Sequence, residues 1–476
     1  MMNKRRKPFK IFISAIAIAG LLISCKETKI KSAKSTANTA MPTIQISDNG
    51  HYFQTDDGKP FFWLGDTGWL TFKKLDRASI KKYFEDRKEK GYNVIQIMTL
   101  HSLEVANFYG DSALVAKDLS KPLVKEGHNF EDKNAYDYWD HIDYALDIAR
   151  ENGLYLAMVP IWGSAIKSGE VSLAQAKIYA NFLGERFKDK DNIIWLNGGD
   201  THGDENTEIW NAIGEILKAK NLKRLITFHP FGRTQSSDNF HAKNWLDFNM
   251  FQSGHRRYDQ ETEGKAYAQD NYKYVREDFN LKPTKPTIDG EPSYEGIPQG
   301  LHDTLQPLWQ AKDLRRYGYW SVFAGAAGFT YGHSAVMQMY SPEETKGAYG
   351  NTKLWTDAIN DPGGKQMRFI KELLLKYPYF ERIPDETLIA NQGEKYDYLA
   401  AMRGKEYALI YTYTGRTIAV HMNKIKGDIS EASWYNPRNG KTTPIGVFKN
   451  KGVLEFKALG KIEDGNDWVL QLISKQ

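Results

Sequence analysis

Cysteine is almost absent from this chain. One occurs among 476 residues, at Cys25. No disulfide can therefore close within the molecule, and the fold must rest on its core. Long hydrophobic runs are missing as well. The most apolar stretch, Ile11 to Ile23, falls short of the roughly 20 residues that a membrane-spanning helix needs. Metal and cofactor signatures are also lacking. None of the eleven histidines stands in an H-x-H or H-E-x-x-H pattern, which leaves a zinc centre without its ligand spacing. Neither a G-x-S-x-G elbow nor a phosphate-cradling P-loop is present. No metal and no cofactor is expected.

A surplus of one charge is missing from the body of the chain. The formal net charge is +5, and Lys4, Arg5, Arg6, Lys7 and Lys10 all precede Cys25 with no acidic residue among them. The chain beyond Cys25 is formally neutral and mixed in sign, so it carries no electrostatic footprint for nucleic acid. A monomer is expected.

The N-terminus has a basic stretch, then an apolar run, then Leu22-Ile23-Ser24-Cys25. That order is the pattern of a signal peptide over residues 1–24, and its end resembles a bacterial lipobox. Cys25 is the expected lipidation site. The expected location is the cell envelope, on a lipid anchor. Residues 25–43 are mostly small and polar; they read as a flexible tether because they cannot bury enough surface to order themselves.

From residue 44 the pattern becomes regular. A hairpin is expected over Ile44 to Ile46 and His51 to Gln54, with turn chemistry at Asp48-Asn49-Gly50. Short apolar runs then alternate with helical periodicity. Strands are expected at 60–65, 93–98, 154–161, 192–196, 224–228, 248–252, 286–289 and 328–331. Helices are expected at 78–90, 139–151, 174–187, 208–220, 272–279, 310–323 and 366–377. This alternation indicates βα units around a parallel sheet. Eight repeats over residues 44–384 fit a (β/α)8 barrel. An open doubly wound sheet competes, but Gly65-Asp66-Thr67-Gly68-Trp69 lacks the G-x-G-x-x-G spacing of a dinucleotide site. Beyond Asp385 the helices stop, and short alternating runs separated by turns such as Arg438-Asn439-Gly440 predict a small antiparallel β-sandwich over residues 385–476.

A barrel of this class places its site at the C-terminal ends of the strands. The polar and aromatic residues there are Asp66, Trp69, His101, Trp162, Asn197, Asp200, His229, Gln252, His255, Glu291, Tyr294 and His333. Two carboxylates stand out. Asp200 follows the Gly198-Gly199 pair, and Glu291 follows Asp289-Gly290. Glycosidic hydrolysis needs one carboxylic acid to protonate the leaving oxygen and one carboxylate to attack or to activate water. The plainer alternatives are a helix-capping Asp200 and an ion-paired Glu291. Asp289 is the rival on the same strand face, but it lies deeper. The remaining rim residues are expected to contact sugar hydroxyls, with Trp69, Trp162 and Tyr294 placed to stack on a ring.

Five stretches together resemble one known group: residues 58–69 (GKPFFWLGDTGW), 91–96 (GYNVIQ), 193–200 (IIWLNGGD), 251–255 (FQSGH) and 286–295 (PTIDGEPSYE). They are similar to the apiosidase-like catalytic domain of glycoside hydrolase family 140. Trp434-Tyr435-Asn436-Pro437-Arg438-Asn439-Gly440 is similar to the domain labelled collagen-binding that follows it there. The resemblance implies a retaining exo-acting glycosidase on a plant cell-wall glycan, with removal of apiose from pectin as the family's founding activity. It implies Asp200 as acid/base and Glu291 as nucleophile. The wider clan more often carries an Asn-Glu pair after strand four; here Gly199-Asp200 stands in its place, which leaves the sugar 2-OH contact to Asn197 or to another residue. A non-catalytic glycan-binding lipoprotein is the alternative.

Overall fold

The computed structural model describes residues 40–260, 265 and 267–475. The expected signal peptide, Cys25 and most of the tether lie outside them. The described chain begins on a small antiparallel sheet of β1 (Ile44–Ile46), β2 (Phe53–Thr55) and β3 (Pro60–Phe61). β3 corrects the sequence reading. Pro60 and Phe61 pair with Gln54 and Phe53 and so extend the hairpin instead of opening the barrel. Phe53 packs edge-on against Phe248 at 5.1 Å and lies 6.4 Å from Trp63. Both partners stand at the starts of barrel strands, so this sheet plugs the end of the barrel away from the strand C-termini.

The barrel strands are β4 (Trp63–Thr67), β5 (Val94–Met98), β6 (Tyr155–Val159), β7 (Ile193–Thr201), β8 (Ile226–Pro230), β9 (Asn249–Phe251), β10 (Thr287–Asp289) and β11 (Gly328–Tyr331). All ladders are parallel, and β11 returns to β4. Between β8 and β9 the wall is joined by Asp247 N–H donating to the Ile226 carbonyl at 2.8 Å and by the Thr227 hydroxyl on the Phe248 carbonyl. Every residue of β4, β5 and β6 is buried, which is why these strands read as continuous apolar runs and not as alternating ones.

The intervening helices start where the sequence provides caps. Asp76 accepts from Ser79 N–H ahead of Arg77–Glu89. Asp137 with Asp140, and Ser172 with Gln175, form capping boxes ahead of Tyr138–Glu151 and Leu173–Arg186. Each cap satisfies backbone donors that the first turn leaves orphaned. Further helices cover Thr207–Lys220, Tyr272–Asn280 and Ala311–Phe323.

The C-terminal part is antiparallel. Its main sheet runs in the order β12 (Ile383–Pro384), β13 (Leu399–Arg403), β14 (Tyr407–Thr412), β19 (Trp468–Lys475), β16 (Ile429–Tyr435) and β17 (Thr442–Lys449); β15 (Ile418–His421) pairs separately with β18 (Val453–Phe456). β17 is an addition to the sequence reading. Pro444 and Gly446 mask it, and it is an edge strand that shifts register opposite Ala432 and Ser433. The inner strands β13, β14 and β19 of the main sheet are buried on both faces by alternation. Ala400, Met402, Leu409, Tyr411 and Val469 join the barrel core. Ala401, Ile410, Ala432, Trp434 and Leu470 pack with Ile418, Val420 and Phe456 of the smaller sheet. Period-two side chains thus serve two cores at once.

Candidate active site

The end of β7 carries the first carboxylate, and the backbone there is irregular for a clear reason. Gly198 lies opposite His229 and Thr201 opposite Pro230, so Gly199 and Asp200 bulge out of the ladder. Three successive residues are left-handed, at φ 90°, 106° and 50° for Gly198, Gly199 and Asp200. A Cβ at Gly198 would stand 2.7 Å from the His229 carbonyl oxygen, and one at Gly199 would stand 2.7 Å from the Trp162 ring. Glycine is required at both. The bulge turns Asp200 out of the wall, and it is the exposed residue in an otherwise buried strand end.

Glu291 stands two residues past β10 and is 8% exposed. Gly254 N–H holds its carbonyl at 3.0 Å. Two imidazoles grip its carboxylate. His255 Nε2 lies 3.2 Å from Oε1, and His229 Nε2 lies 3.2 Å from Oε2. The backbone N–H of Asp200 donates to His229 Nδ1 at 3.3 Å. That contact leaves Nδ1 as acceptor, so the His229 proton sits on Nε2 and faces Glu291. One histidine therefore ties the bulge that carries Asp200 to the opposing carboxylate.

The two acids are pushed in opposite directions. Burial raises Glu291, but the hydrogen-bonding imidazoles of His229 and His255 outweigh it and bring the carboxyl down to about 2. For Asp200 the cavity wall removes solvent from a carboxyl that is still reachable. The charge of Glu291 adds to this, and the pKa rises despite His229, His255 and the Gly232 N–H. Both carboxylates open into one cavity of about 320 Å³. Gln252 and His255 line it, as do Arg233, Arg256, His302 and Tyr349. Among the described residues no group of three or more His, Cys, Asp or Glu is arranged to hold a metal ion.

Comparison with known proteins agrees with this geometry. The family described as "Apiosidase-like, catalytic domain" matches residues 47–381. The chain belongs to that family. The description "Putative collagen-binding domain of a collagenase" matches residues 383–473. A solved structure titled "Glycoside hydrolase" is 46% identical, with 91% of this chain and 97% of that one covered and a TM-score of 0.85. Another, from Bacteroides vulgatus ATCC 8482 and titled a glycoside hydrolase family 5, is 42% identical over 92% of this chain and 93% of its own, also at TM-score 0.85. A third from the same organism, at 13% identity and TM-score 0.62, shares the fold. A search of curated proteins finds no match. The chain is a glycosidase, and its substrate is a saccharide.

In this apiosidase-like barrel the other expected contacts divide. Trp69 and Trp162 lie 5.3 Å apart and stand 5.3 and 5.8 Å from His229, forming an aromatic wall behind it. Tyr294 is buried and accepts from Trp69 Nε1 at 3.2 Å. Gln252 keeps its Oε1 free of any partner among the described residues.

Four expected contacts are corrected. Asp66 is fully buried, bonded by Tyr83 at 2.6 Å and paired with Arg87 at 2.7 Å, so its charge is spent inside the wall. Asn197 is buried, donates to the Trp210 carbonyl at 2.7 Å and accepts from Gly198 N–H, which anchors a helix and keeps it out of the cavity lining. His333 caps Ser334–Met337 through Ala335 N–H and meets Asp361 at 2.9 Å, in a neighbouring cavity. His101 does not line the catalytic cavity; burial, with Lys73 and Lys74 nearby, lowers its pKa. The rival Asp289 is fully buried and held by Ser253 and Asn271.

The lining residues Arg233, Arg256, His302 and Tyr349 escaped the sequence reading. Arg233 and Arg256 follow the same strand ends as His229 and His255, so strand-end position could have found them. Tyr349 comes from the long segment after β11 and carries no motif.

Proposed function

We propose that this glycosidase is a retaining, exo-acting enzyme that removes a terminal sugar, apiose in the reading the family favours, from a plant pectic glycan. The observation that carries the mechanism is the opposed titration of two carboxyls in one cavity. Glu291, held ionised by two histidines, attacks the anomeric carbon. Asp200, biased toward its protonated form, gives its proton to the leaving oxygen as that bond breaks. Asp200 then takes a proton from water, which displaces Glu291 and releases the sugar. Double displacement of this kind needs the two carboxyl groups about 5–5.5 Å apart.

The exo reading is supported by the size of the cavity. About 320 Å³ lies at the low end of the roughly 300–1,000 Å³ of small-molecule sites, which suits one terminal residue better than a threaded polymer. The test is proton NMR of the first product released from a pectic oligosaccharide digest. Retention at the anomeric carbon supports the reading. Inversion, or release of internal fragments, overturns it.

We also propose that Cys25 carries a lipid anchor that places the enzyme in the cell envelope. The basic and then apolar order before Cys25 supports this. The parent should fractionate with membranes, and Cys25→Ala should be soluble or unprocessed. Equal membrane association of both would remove the anchor.

A further inference from the structure

A second cavity of about 260 Å³ adjoins the catalytic one, and Tyr349 lines both. The loop at 301–304 forms the other half of the saddle. Leu301 and His302 face the catalytic cavity, and Thr304 faces the second. The His302 and Tyr349 rings approach to 5.7 Å across it.

Tyr349 is held in an unusual way. Its backbone is left-handed, at φ 56° and ψ 30°, a conformation that a bulky residue adopts only when its surroundings enforce it. Gln338 does so from both sides: its Oε1 accepts from Ala348 N–H at 2.7 Å, and its Nε2 donates to the Ala348 carbonyl at 3.3 Å. The molecule braces a strained turn in order to hold an aromatic ring at the junction.

The second cavity has the chemistry of a sugar site. Asp361 offers carboxylate oxygens fixed by His333 and Lys353, and Lys353 and Thr304 are exposed at its wall. Leu308 supplies an apolar patch and is 48% exposed. Fixed acceptors, the Lys353 ammonium held beside them, the Thr304 hydroxyl, an aromatic ring and a small apolar surface together match the alternating hydroxyl and C–H faces of a pyranose or furanose ring.

We propose that this second cavity binds the next sugar of the glycan, on the leaving-group side, with Tyr349 as the saddle between the two residues. The inference rests on the exo-glycosidase reading above. A terminal sugar that fills the catalytic cavity must pass its remainder through an opening, and the saddle leads into a cavity built from hydroxyl-binding groups. Selectivity for chain length is the consequence, because glycans that extend past the scissile bond gain these contacts and minimal ones do not.

The test uses the full chain and size-separated fractions of a pectic oligosaccharide digest. The kcat/KM for release of the terminal sugar is measured for the parent and for Thr304→Trp, which fills the cavity, and Lys353→Ala, which removes its donor. Both positions are exposed, so folding is not at stake. The parent is expected to prefer the longer fractions, and each variant to lower the long-to-short ratio by about tenfold. A parent with no length preference, or variants that keep the parent's ratio, would overturn the proposal while leaving the exo reading in place. A parent that releases no sugar from any fraction would overturn both.

Discussion

At the seam between the barrel and the C-terminal sheet, Arg315 meets Asp467 through bonds of 2.7 and 2.8 Å, and Asp467 is fully buried. Tyr319 stacks on Tyr411 at 4.7 Å, and Tyr272 on Tyr398 at 3.9 Å. At the barrel mouth Glu291 is nearly as buried but meets two histidines instead of an arginine. The seam uses a cation that keeps its charge at every physiological pH, and its aromatic surfaces are covered. The mouth uses imidazoles, and atoms such as Gln252 Oε1 and His255 Nδ1 have no partner among the described residues. A buried carboxylate fixed by arginine is locked. One held by histidines, beside free acceptors and donors, stays ionised and keeps capacity for a ligand. Asp66 also faces an arginine, Arg87 at 2.7 Å, although it sits in a barrel strand.

The largest effect should come from breaking the mouth. Glu291→Gln is expected to lower kcat by on the order of 10⁴-fold or more, with a lower thermal midpoint beside it because the charge that His229 and His255 hold is lost. Asp200→Ala should lose turnover similarly. Azide should rescue both, with a retained product configuration for Asp200→Ala and an inverted one for Glu291→Ala. Full activity in either variant would show that the pair is wrong, and Asp289 would then be tested.

Breaking the seam should act on stability instead. Arg315→Ala leaves buried Asp467 with only the more distant guanidinium of Arg438 at 3.6 Å, which is expected to cost about 3 kcal/mol in denaturant unfolding. Turnover per folded molecule should change little. A seam variant that loses activity before stability would erase the contrast.

Gly199→Ala tests the bulge directly. Its Cβ would strike the Trp162 ring, so the Asp200 carboxyl must move. A shift of about 1 Å is expected to lower kcat/KM by roughly 10²-fold.

The smallest effects are pH dependences. Activity should fall as pH rises through the raised pKa of Asp200, and Asp200→Asn should abolish that limb. The acid limb belongs to Glu291 and should extend toward about 2. The sign for stability differs between two buried acids of the same segment. Glu291, lowered when folded, adds stability above its unfolded pKa that is lost as pH falls toward about 2. Burial pushes Asp289 up to about 7, so the folded state holds a proton that the unfolded state has released. Stability should therefore decline between the ordinary carboxylate range and about pH 7, and Asp289→Asn should flatten that slope in urea titrations.

The alternation of strand and helix was legible because it is written in neighbouring residues. Apolar runs such as 93–98 and helical periodicity such as that over 78–90 act within a few positions of themselves. The Gly198-Gly199 pair ahead of Asp200 was legible for the same reason, but the bulge it forms was not, because that depends on pairing with β8. β17 was not, because Pro444 and Gly446 oppose a strand locally and only pairing with β16 over Thr442–Lys449 overrides them. The partners of buried polar groups were hidden as well. Nothing near Asp66 in sequence announces that Arg87 will spend its charge, nor does anything near Asn197 announce the Trp210 carbonyl. His229 and Glu291 stand 62 residues apart, and they meet because the barrel closes. Local propensity and period were enough to set the elements and the order in which they present carboxylates at one rim. Which of those carboxylates is locked, which is poised and where Tyr349 stands were settled only by closure of the barrel, since electrostatic pairing depends on distances between residues far apart in the chain.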